Sequence, residues 1–175
     1  MKRWIVLLFV VAFAACSDET PVATPTIPPS PTPTTASNVP AAVEQTKTAI
    51  VRAARAQDLD ALGALLDPKT FNYSFGENGD PIGYWRKLES EAHVPILGDI
   101  MPQVFATRPA KQGGTYVWPA AAAKEAKDWT DADVEDLLTF NSQQDIDQYR
   151  ELGGYLGYRG GIQAEGAWLF FIAGD

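Results

Sequence analysis

The chain has 175 residues, 46% of them apolar, and its 22 acidic against 14 basic side chains leave a formal net charge of −8. That balance argues against binding a phosphate backbone, which needs Lys and Arg clustered on one face, so no nucleic-acid partner is expected. Cys16 is the only cysteine, which excludes an internal disulfide, a CxxC redox pair and a Cys₄ zinc site.

The first sixteen residues have the layout of an export signal. Lys2 and Arg3 form a positive start, residues 4–11 an apolar stretch, and Phe13-Ala14-Ala15 a small-residue approach to Cys16. The apolar run over residues 4–15 is twelve residues long, short of the roughly 20 that a membrane-spanning helix needs. Phe13-Ala14-Ala15-Cys16 resembles the lipobox of bacterial lipoproteins, in which a signal peptidase cuts before a cysteine that already carries diacylglycerol. The position three before the cysteine departs from the pattern, holding Phe13 where Leu or Val is usual. The resemblance implies that residues 1–15 are removed and that lipid on Cys16 holds the protein on a membrane. It also consumes the one thiol. Ser17 after the cysteine resembles the residues that permit transfer to an outer membrane where the host has one. The implied location is then the periplasmic side of that membrane, or otherwise the outer face of the cytoplasmic membrane.

Residues 16–40 follow as a tether. Pro21, Pro25, Pro28, Pro29, Pro31, Pro33 and Pro40 stand among Thr, Ser and Ala, a composition that buries no core and favours extended polyproline conformations. Its reach is up to roughly 70 Å at about 3.1 Å per residue. No basic residue flanks the prolines within it, so a spacer is the plainer reading than a partner-recognition motif.

Residues 41–175 have the usual size of a single domain. Val43, Ala49, Ile50, Ala53 and Ala54 recur at helical spacing and predict a first helix. Asp58 opens a short second helix through Leu59, Leu62, Leu65 and Leu66, which Asp67-Pro68 closes. Phe71, Tyr73 and Phe75 alternate with polar residues as in a half-buried strand, and Gly76 to Pro81 supply a turn. Tyr84, Trp85 and Leu88 predict a third helix with Pro81 in its first turn. Pro102, Pro109 and Gly113-Gly114 punctuate the next stretch, leaving short strand candidates at residues 103–107 and 115–118. Thr130 and Asp133 have capping-box spacing, with Trp129 placed to staple onto Val134, and predict a helix to about Phe140. The end of the chain reads as a β-hairpin, residues 155–162 and 167–173 around Ala164-Glu165-Gly166. Gly157, Gly160 and Gly161 in its first strand point to a bulge or a close backbone approach.

The expected fold class is α+β, N-terminal helices packed on a curved, mostly antiparallel sheet that ends in this hairpin. Helix, short helix, strand, turn and third helix resemble the opening of the NTF2-like α+β cone. The matching residues are 42–66, with the Gln57-Asp58-Leu59-Asp60-Ala61-Leu62 junction, then 70–76 and 82–88. The helical stretch over residues 118–151 departs from that family's run of long curved strands.

Little in the domain signals chemistry. His93 is the one histidine, and with Asp99 six residues on it is a candidate acid–base pair, although a lone histidine near a helix end is more commonly a surface or capping group. The serine-nucleophile elbow is absent, since Asn72 stands where its first glycine belongs before Ser74. One histidine and no spare cysteine make zinc unexpected, and no metal or cofactor is expected. Asp131, Asp133, Glu135 and Asp136 have the spacing of calcium-loop carboxylates without the sharp-turn glycine, and read as a solvated acidic helix face that Asp145, Asp147 and Glu151 extend. Trp85, Trp118, Trp129 and Trp168 supply either core or a binding groove. The leading expectation is a non-enzymatic, membrane-anchored domain that binds an envelope protein or a small ligand. The alternative is an NTF2-like hydrolase or isomerase using His93 and carboxylates.

Overall fold

The computed structural model describes residues 39–74 and 79–174. The export signal, Cys16, most of the tether, Phe75 and the first part of the predicted turn before Pro81 lie outside the described residues.

The fold is α+β. Helix α1 (Ala41–Arg55) buries Val43, Ile50, Ala53 and Ala54, the stripe expected from their spacing. It ends in a Schellman motif, with Gln57 N–H bonded to Ala54 O and Asp58 N–H to Ala53 O, each at 2.9 Å. Asp58 then caps α2 (Leu59–Gly63) by accepting from Ala61 N–H. Helix α3 (Pro81–Ser90) starts at Pro81, is capped by Asp80 and buries Trp85.

Residues 103–107, expected as a strand, are helical. A π-helical turn at Ile96–Ile100 leads directly into α4 (Met101–Ala106), which buries Met101, Pro102, Val104 and Phe105. Pro102 lies in the first turn of α4, where its missing N–H costs little, and the widened turn ahead of it leaves room for the ring. The apolar residues there follow a helical rather than a two-residue period.

Strands β1 (Ala110–Gln112), β2 (Thr115–Trp118), β3 (Arg159–Gln163) and β4 (Trp168–Ile172) form one antiparallel sheet in that order. The C-terminal hairpin is β3–β4, and a register shift between Gly161 and Ile162 is the expected irregularity at the glycines. The first strand of the hairpin begins later than expected, because Tyr155 turns into a separate cluster. The alternation at residues 71–73 is real, with Phe71 and Tyr73 buried and Asn72 exposed. Yet Asn72 makes only one parallel bridge, to Phe170, so the segment lies along β4 without becoming a ladder.

Two hydrophobic clusters result. In the larger one, Trp168 is surrounded by Phe71 at 4.8 Å, Trp85 at 5.7 Å and Phe105 at 6.4 Å between ring centroids. The smaller one joins Ala121, Leu137, Ile146 and Tyr155 beneath α5 (Asp131–Leu138) and α6 (Gln143–Glu151), the helical segment between β2 and β3. Both helices open with complete capping boxes, Thr130 with Asp133 and Ser142 with Asp145.

Candidate functional site

The α5 and α6 carboxylates are largely committed to structure. Asp133 is buried, accepts from Thr130 N–H and Oγ1 at 2.8 Å each, and takes Lys124 Nζ at 2.7 and 2.9 Å on its two oxygens. Desolvation alone would raise its pKa; the hydrogen bonds from Lys124 and Thr130 outweigh it and hold the carboxyl below the ordinary aspartate range. Asp136 accepts from both Arg108 Nε at 2.8 Å and Arg108 N–H at 3.0 Å, while the same guanidinium reaches Ala132 O. Asp145 caps α6 and is likewise held below its usual range by hydrogen bonds from Ser142. Among the described residues, no group of three His, Cys, Asp or Glu side chains is placed to hold a metal ion.

His93 and Asp99 are both exposed and have separate partners. His93, at φ 55°, sets its Nδ1 3.2 Å from Glu91 O in the turn after α3. Asp99 accepts from Gln103 Nε2 one helical turn on. The hollow beside His93, about 420 Å³, is lined by Tyr73, Tyr84, Leu88 and Ala92 among others, and not by either member of the candidate pair. The geometry that general acid–base work requires, two groups facing one enclosed space, is not formed by these two.

A different surface has the make-up of a binding site. Helix α1 lies on α4, and the groove between them has a volume of about 650 Å³, within the range of small-molecule sites. Its floor is apolar: Val51 from α1, with Pro102, Phe105 and Ala106 from α4. Its rim is basic: Lys47, Arg52 and Arg55. Thr48, Val51 with Arg52, and Arg55 recur at spacings of three, four and seven, so one face of α1 carries both floor and rim. Lys47 pairs with Glu44 at 2.6 Å. Among the described residues, neither Arg52 nor Arg55 has an acidic partner.

The groove was not anticipated from the sequence. Arg52 and Arg55 stand in the last turn of α1, where the helix dipole favours positive charge whatever the function, so their position alone does not mark a site. Only the recognition of α4 as a helix would have paired its small and apolar surface with theirs. The chain matches no protein-family profile, no curated protein and no solved structure.

Proposed function

We propose that the protein is a lipid-anchored binding module of the bacterial envelope, tethered through Cys16 and residues 17–40, and that the α1–α4 groove is its binding face. The observation that carries the binding role is the pairing of an apolar floor with two arginines that have no acidic partner among the described residues. Desolvated apolar area supplies affinity in such grooves, and a few charged groups supply orientation. The lipobox-like sequence ending in Cys16 supports the anchor. A tether of this composition holds the domain clear of the lipid, leaving the groove open to an envelope component.

Two measurements in living cells test the proposal. Cys16→Ser is expected to abolish incorporation of an alkyne-labelled fatty acid and to leave residues 1–15 uncleaved; unchanged labelling would refute the anchor. A photo-crosslinking residue at Thr48, on the groove wall, is expected to give ultraviolet-dependent adducts that Ala106→Glu suppresses, while the same residue at Gln148 on α6 gives none. Equal adducts at both positions, or none at Thr48, would show that the groove is not the binding face.

A further inference from the structure

We infer that the groove takes a single-chain anionic amphiphile, a carboxylate or phosphate head on an unbranched apolar chain, bound as a monomer rather than as part of a bilayer surface. This rests on the groove being the binding face. Arg52 and Arg55 are three residues apart on α1, which places their side chains side by side over one turn. Two guanidinium forks at that spacing suit a single head with two or three oxygens, each fork able to donate in parallel. Lys47, already paired with Glu44, adds positive potential rather than a free donor.

The rest of the ligand is set by the floor. Val51, Pro102, Phe105 and Ala106 present no side-chain hydrogen-bonding group, so they reward an apolar chain and penalise a sugar or a peptide backbone left unpaired. Charge argues the same way. A chain of net charge −8 repels anions in general, so anion affinity must come from the local pair. A bilayer would meet the rim of this concave site but not its floor, since the floor lies between two packed helices.

The test uses the full-length chain carrying Cys16→Ser, which keeps every other residue and removes the lipid acceptor. Titration calorimetry with dodecanoate and with dodecyl phosphate, each below its micellar concentration, is expected to show one saturable site. Dodecyl maltoside, which lacks the charge, and inorganic phosphate, which lacks the chain, are each expected to bind at least about tenfold more weakly. Arg52→Gln with Arg55→Gln, both exposed positions, is expected to weaken binding at least about tenfold with an unchanged thermal melt. Ala106→Glu, at the exposed end of α4, supplies an independent arm by placing a like charge in the groove and is expected to do the same.

Binding that is indifferent to these substitutions, or equal for the neutral amphiphile, overturns the inference. Binding to phosphatidylglycerol vesicles with none to the monomers overturns it in favour of a membrane surface. Thr48 adducts in cells without affinity for either anion would overturn the ligand class and leave the groove as binding face. Absence of both would remove the groove itself.

Discussion

Phe105 stands on Gly160. A Cβ added to Gly160 would lie 2.5 Å from Phe105 Cζ, closer than carbon atoms pack, and the β3 backbone leaves that glycine no room to retreat between Trp118 and Phe171, its neighbours in register. Phe105 fills the space with its ring 5.5 Å from that of Trp118 and 6.0 Å from that of Phe171. Phe105 is also one of the residues that line the groove between α1 and α4, so the glycine in the sheet beneath it helps to set where that residue sits.

Gly160→Ala is therefore expected to destabilise the protein by about 1–3 kcal/mol through overpacking. Phe105→Leu in the same chain should recover part of that loss. Urea unfolding of the four members of this double-mutant cycle measures the coupling; additive effects would show that the two residues do not share the space.

Asp133 gives the domain an acid-sensitive point. Its carboxyl is held below the ordinary range when folded, so it contributes stability that is fully present above the unfolded-chain value of about 3.9 and is lost as pH falls through the folded value beneath it. Lys124→Met is expected to cost about 1–2 kcal/mol at pH 7, discounted because the lysine is partly exposed, and much less at pH 3. Unfolding free energies of the two proteins at both pH values check this. A pH-independent difference would place the lysine's role in packing.

At the end of α1, Gln57 occupies the left-handed position of the Schellman motif with φ 52°, where a Cβ is unfavourable. Gln57→Gly is expected to raise stability by about 0.5–1 kcal/mol with the groove unaltered. A lower melting temperature would show that the glutamine side chain holds something the turn needs.

Arg108 ties the start of the sheet to α5 through Asp136 and Ala132. Arg108→Ala should cost about 1 kcal/mol, because the arginine is half exposed while its partner is mostly covered. Hydrogen exchange over residues 131–151 is expected to accelerate more than exchange in β3 and β4. Uniform acceleration would mean that the two hydrophobic clusters open as one.

Much of this architecture is written locally. Thr130 and Ser142 cap helices through side chains three residues away, and α1 and the hairpin follow from apolar period, so neighbouring residues suffice to specify them. Helix α4 is different. Its helical period runs over only six residues, with Pro102 second among them, too few to mark a helix without the packing against α1 and β3. The groove inherits that dependence, since three of its four floor residues belong to α4. Phe71 and Tyr73 show the converse, a strand-like alternation whose backbone finds a partner at one residue only.

Thr46 Oγ1 donates to Gly166 O at 2.7 Å, and a Cβ added to Gly166, at φ 95°, would crowd Ala42, so the first turns of α1 are buttoned to the turn of the last hairpin. A pull applied ahead of Ala41 is thus borne at once by the far end of the polypeptide. Part of the load passes into β3 and β4, whose ladder hydrogen bonds share it, alongside the packing of α1 on α4 and α2. Residues joined only late in sequence thus take a share of the first strain, and a stretch on the amino end would test the hairpin together with the groove.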